Sequence, residues 1–104
     1  MPLIFGQPKI YWQAIPGVDL HWKLWGEEYV VYNSGSGHTH LLDPVVAFLV
    51  QQIMERSWET ADLLEHAQKL LGFEMTAESR EKLQKTLTEL EDLGLIEAVT
   101  LESS

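Results

Sequence analysis

Two histidines stand two residues apart in the run Gly37-His38-Thr39-His40-Leu41-Leu42. On an extended strand that spacing sets both imidazoles on one face, where they can approach one metal ion, and His21 offers a third nitrogen. No carboxylate is obliged by sequence to complete such a shell. The plainer reading is a polar edge strand whose outward positions carry His, so no metal and no cofactor is expected. Covalent catalysis needs a nucleophile beside a base and a stabiliser, and acid–base catalysis a pair of carboxylates with separated pKa values. Neither grouping stands out. Ser34-Gly35-Ser36-Gly37 contains glycine but lacks the GxxxxGK[ST] form of a phosphate loop and lies between two strand-like runs, so it reads as a hairpin turn. We expect no catalytic residues and no enzyme activity.

Charge narrows the partners. Seven Lys and Arg against sixteen Asp and Glu give a formal charge of −9. That balance repels a phosphate backbone and an anionic membrane surface alike. The expected partner is neutral or basic, or is held through apolar contacts; nucleic acid and membrane are not expected. Glu89, Glu91 and Asp92 read first as a solvated face and second as a selector for a basic peptide side chain.

The elements that position these residues come from a chain of 104 residues, a size at which one core removes roughly two thirds of the unfolded surface from water. A hydrophobic fraction of 45% with four Trp, three Tyr and three Phe belongs to a globular domain. There is no Cys, which excludes disulfides and thiolate sites and fits a reducing compartment. The longest apolar run, Val45 to Val50, falls far short of the roughly 20 residues of a membrane span. The opening Met-Pro-Leu-Ile-Phe-Gly-Gln-Pro-Lys lacks the form of a signal peptide, so the expected location is the cytoplasm.

Residues 1–17, with three of the four prolines, read as an N-terminal arm with one short strand around Ile10–Ala14. From Leu20 the pattern has period two, Leu20, Trp22 and Leu24 alternating with His21, Lys23 and Trp25, which predicts a strand over 20–25. Gly26-Glu27 suits a type II′ turn. A second strand over 28–33 follows, apolar on both faces at Tyr29-Val30-Val31-Tyr32, which calls for cover on both sides by the arm or by a dimer contact. His38–Leu42 makes a third strand and completes a meander. Asp43 before Pro44 predicts a capped helix to about Arg56 with Val45, Phe48, Leu49 and Ile53 inward. Thr60 is the expected cap of a second helix, with Leu63, Leu64, Ala67, Leu70 and Leu71 as its apolar side and Gly72 beyond its end. Thr76 or Ala77 begins a third, with Leu83, Leu87 and Leu90 inward and Gly94 as its stop; Leu95–Val99 is then extended like the wing of a winged helix. The fold class expected is α+β, winged helix-turn-helix-like, a three-stranded antiparallel meander followed by three helices, with a domain over 18–101 and a tail 102–104.

In this arrangement the chain resembles the PqqD-like family of small peptide chaperones, also called precursor-peptide recognition elements. The likeness is carried by Trp22-Lys23-Leu24-Trp25, Tyr29-Val30-Val31-Tyr32, Ser36-Gly37-His38-Thr39-His40-Leu41-Leu42-Asp43-Pro44 and Leu93-Gly94-Leu95-Ile96-Glu97, over roughly residues 18–99. It is most similar to the subgroup found beside a kinase related to the HPr kinase. The resemblance implies that the leader of a ribosomally made precursor peptide lies between the third strand and the third helix and is delivered to a modifying enzyme. The meander order leaves the third strand as a free edge, so the peptide would add there at His38, Thr39, His40, Leu41 and Leu42, with Leu41, Leu42, Leu83 and Leu87 as apolar contacts and Arg80 or Gln84 as a polar one. Sequence leaves open which flank of the third helix faces the groove. The alternative from another class is a winged-helix DNA-binding regulator. Against it, residues 76–93 carry three basic side chains, Arg80, Lys82 and Lys85, and five acidic ones, Glu78, Glu81, Glu89, Glu91 and Asp92. A third reading is an interaction module that dimerises through its aromatic β-face.

Overall fold

The structure, a computed structural model, describes residues 9–101. The first eight residues of the expected arm and the tail 102–104 lie outside the described residues. The elements are β1 (Lys9–Gln13), β2 (Leu20–Trp25), β3 (Glu28–Asn33), β4 (Thr39–Leu42), α1 (Pro44–Glu55), β5 (Trp58–Glu59), α2 (Thr60–Leu71), α3 (Ala77–Asp92) and β6 (Glu97–Leu101). They form an α+β domain with two antiparallel three-stranded sheets, ordered β2-β3-β4 and β5-β1-β6, and three helices.

The first sheet follows from local chemistry. Trp25 pairs with Glu28 across Gly26-Glu27, and Gly26 has φ +66° while among the described residues only glycines have positive φ. A left-handed first turn residue followed by an ordinary second one is the type II′ pattern, whose twist matches the flanking strands. One face of this sheet is buried: Val31 and Leu42 are sealed, with Leu20, Trp22, Tyr29 and His40 half-buried beside them. The helix ends are likewise local. Asp43 Oδ1 accepts from Val46 N–H at 2.9 Å at the start of α1, and Thr76 Oγ1 accepts from Ser79 N–H at 3.0 Å at the start of α3. Gly72 closes α2 with φ +73°, its N–H donating to the Gln68 carbonyl.

Several expectations are corrected. Thr60 does not cap α2. Its hydroxyl accepts from Trp12 Nε1 at 2.8 Å and donates to the Ile10 carbonyl at 3.2 Å, so it is spent on β1, and the residue before the helix, Glu59, makes no side-chain cap. Described residues of the arm do not cover β2. They form β1, the middle strand of the second sheet, in register with β6 from Lys9–Leu101 to Gln13–Glu97, and Trp12 enters the core at 6% exposure. The extended segment read as a wing is thus β6, paired with β1. Trp25 is left 73% exposed. Val45, Leu70 and Leu71 are exposed rather than inward, because each helix buries only the stripe that meets a neighbour: Leu49, Val50 and Ile53 on α1, and Leu63, Leu64 and Ala67 on α2. A radius of gyration of 14.9 Å exceeds the ~13 Å usual for this length.

Candidate functional site

β4 is an edge strand, paired with β3 from Tyr29–Leu42 to Tyr32–Thr39. One bond sets the phase of this ladder: Asn33 N–H donates to the His38 carbonyl at 2.9 Å. In an antiparallel pair, residues that exchange main-chain bonds alternate with residues that do not. His40 and Leu42 therefore turn their N–H and C=O groups toward β3 and His38 its C=O, the His38 N–H donating to Ser36 Oγ at 3.2 Å, whereas Thr39 and Leu41 turn theirs away. Among the described residues nothing pairs with that outer side.

The side chains alternate in the opposite sense to the notion of outward histidines. His40 and Leu42 lie on the buried face, opposite Val31 and Tyr29, while Thr39 and the 60% exposed Leu41 lie on the open face. His38 is exposed at the strand's start, and its ring meets that of His40 edge to face with centroids 6.3 Å apart. Nε2 of His40 is buried without a hydrogen-bond partner among the described residues. Among those residues no group of three or more His, Cys, Asp or Glu is arranged to hold a metal ion. Nor is any helix among them long and apolar enough to cross a membrane.

Where β4 ends, a groove of about 400 Å³ opens between the first turn of α1 and one flank of α3. Asp43, Val45 and Val46 line one wall, Ser79, Lys82, Leu83 and Thr86 the other, with Phe73 at the end. Its surface is mainly apolar. Val45 is 43% exposed because it faces this opening instead of the core. Lys82 has no ion pair among the described residues, where the pair present is Lys69–Glu65 on α2 at 3.1 Å.

Of the residues singled out from sequence, Leu83 lines this groove; Thr39 and Leu41 carry the free edge of β4, with His38 and His40 beside them, and do not line it. Leu42 and Leu87, at 5% and 0% exposure, are core and offer no pocket surface. Arg80 and Gln84 fall on the other flank of α3, lining a separate groove of about 460 Å³ with Lys9, Ile10, Thr60 and Leu64. Val45, Val46, Phe73, Lys82 and Thr86 were not anticipated. The helical period does hold a signal for two of them: Lys82 and Thr86 share one shoulder of the Leu83–Leu87 stripe and Gln84 occupies the other. Comparison with known protein families, with curated proteins and with solved structures gives no match.

Proposed function

We propose that the chain is a non-catalytic peptide-binding adaptor that takes up an extended segment along β4 as an added strand. The observation that carries this reading is the row of main-chain groups at Thr39 and Leu41 that nothing pairs with among the described residues; where β4 ends, the apolar groove lined by Val45, Val46, Phe73 and Leu83 opens. Open edges are normally blunted in native proteins, and strand addition draws affinity from the main chain and selectivity from adjoining pockets. Lys82 in the groove wall favours a carboxylate or a carbonyl on the peptide at that point.

The resemblance to PqqD-like peptide chaperones gives this reading its biological form. In it the meander and helices act as a winged-helix-like recognition element, the ligand is the leader of a ribosomally made precursor peptide, and the consumer is a modifying enzyme, in a system related to the HPr kinase. α3 lends no support to the DNA-binding alternative, since Glu78, Glu81, Glu89, Glu91 and Asp92 are all exposed on it. Titration of the isotope-labelled chain with a synthetic extended peptide carrying apolar side chains at alternate positions and one carboxylate tests the reading. Amide shifts are expected at Thr39–Leu42 and Ser79–Thr86. Shifts confined to α2 or β6, with residues 38–42 unmoved, overturn it.

A further inference from the structure

β2 is the other edge of the same sheet, and among the described residues nothing pairs with its outer side. Ser34 N–H donates to the Asp19 carbonyl at 3.0 Å, which sets the phase here. Asp19, His21, Lys23 and Trp25 turn their main-chain groups toward β3, and Leu20, Trp22 and Leu24 turn theirs outward. Native edges are commonly guarded by a proline, a bulge, a very short strand or a charged side chain such as Lys; the guard of that kind on β2 is Lys23, which a two-fold pairing can set opposite an acidic residue. β2 has six residues in unbroken register with β3 and no proline. Leu24 and Trp25, at 60% and 73% exposure, stand uncovered at its end.

We propose that β2 pairs antiparallel with β2 of a second copy about a two-fold axis at His21, joining the two sheets into one. A two-fold pairing presents the same strand to itself, so every contact occurs twice. With the axis at His21, Asp19 lies opposite Lys23 of the second copy and Lys23 opposite Asp19. Neither side chain has an ion-pair or hydrogen-bond partner among the described residues. On the other face Trp22 meets Leu20, and the exposed Leu24 meets Val18. Leu20 and Trp22 exchange the outward main-chain bonds. Neighbouring registers are worse: an axis at Trp22 sets Lys23 against His21, and one at Lys23 sets the two lysines against each other, an arrangement that destabilises cross-strand pairs. Glu27 and Glu28, which would repel their copies, fall beyond the paired span. This interface lies on the edge opposite β4 and does not depend on peptide binding there.

Sedimentation equilibrium of the full chain tests it. A reversible dimer is expected. Lys23→Glu should weaken it by about tenfold through loss of two opposed pairs. Adding Asp19→Lys to Lys23→Glu should restore it. Leu24→Pro, which removes an outward N–H at a 60% exposed position, should weaken the dimer without unfolding the chain, whereas Thr39→Pro on the opposite edge should leave the dimer intact. A chain that stays monomeric up to about 1 mM overturns the proposal. So does a dimer whose dissociation constant is unmoved by Lys23→Glu, or one that the charge swap does not restore.

Discussion

Asn33 Nδ2 donates to the Gly94 carbonyl at 2.9 Å across 61 residues of chain, tying the end of β3 to the turn that ends α3. The same side chain accepts at Oδ1 from Gly35 N–H at 2.8 Å and from Ser36 N–H at 3.2 Å, and it is only 2% exposed. One buried amide thus builds the β3–β4 turn and fixes the sheet to the helix that forms the far wall of the groove.

Asn33→Ala should therefore lower stability by about 1–3 kcal/mol, the cost of leaving buried partners unsatisfied. Asn33→Asp separates the two roles. A carboxylate can still accept from Gly35 and Ser36 but cannot donate to Gly94, so a loss of similar size would assign the stability to the helix contact. Urea denaturation of both variants measures the difference. An Asp variant as stable as the parent would show that the Gly94 bond contributes nothing.

The contrast between Asn33 and Trp12 shows what was legible in the sequence. Strands β2 and β3, their Gly26 turn, the Asp43 cap and the Leu83–Leu87–Leu90 stripe are written in residues close along the chain, and each matches its reading. The second sheet is not local. Trp12 pairs with Ala98 and with Trp58, and neither segment carries a mark that names the other as its partner. Thr60 looked like a cap because a hydroxyl before a helix usually is one; Trp12 Nε1 claimed it. At the groove, the β4 edge was legible from the order of the meander, but the facing of its side chains was not, since His40 lies on the core side and Leu41 on the open one. The flank of α3 was not, because Lys82 and Gln84 stand one residue either side of Leu83 and only the position of α1 chooses between them.

Leu83 and Leu87 should differ on truncation. Leu87 is fully enclosed, so Leu87→Ala should cost about 2–5 kcal/mol, while Leu83, 8% exposed at the groove, should fall toward the lower end. Chemical denaturation with unchanged m-value reads both. A loss below about 0.5 kcal/mol at Leu87, the range of surface changes, would mean that the buried face of α3 is misplaced.

Arg56 lies over the Trp58 ring, 3.5 Å from its centroid, and Trp58 in turn meets His66, 4.6 Å away between centroids, with Phe48 stacked on the far side of His66 at 6.0 Å. This column joins α1, β5 and α2. Arg56→Ala should cost about 0.5–1 kcal/mol, as for an exposed cation over an aromatic face. Arg56→Lys should recover part of it. If neither variant shifts the thermal midpoint, the guanidinium does not hold that position in solution.

Trp25 has no cover among the described residues at 73% exposure, so Trp25→Ala should change stability by less than about 0.5 kcal/mol. It should also lower the iodide-quenchable tryptophan emission, since of the other three tryptophans Trp12 and Trp58 are buried and Trp22 is half-buried. Emission that iodide quenches equally well in the variant would place the accessible ring elsewhere.

Proline substitutions along β4 separate peptide addition from folding. The Thr39 N–H points away from β3, so Thr39→Pro removes a donor that the fold does not use. The neighbouring His40 N–H points into the ladder opposite Val31, so His40→Pro breaks a β3–β4 bond and wedges a ring between the strands. Thr39→Pro should therefore leave the unfolding transition close to that of the parent yet weaken the cognate peptide by about tenfold or more, the scale of a lost main-chain bond plus the clash of the ring with an added strand. His40→Pro should lose stability first. His40→Ala, which keeps the main chain, should weaken the peptide only modestly, because His40 faces the core side of the sheet. Calorimetric titration beside urea denaturation gives both quantities for each variant. Parent-like affinity in a folded Thr39→Pro chain would remove β4 as the docking edge, since an added strand would there lose the Thr39 N–H and meet the proline ring.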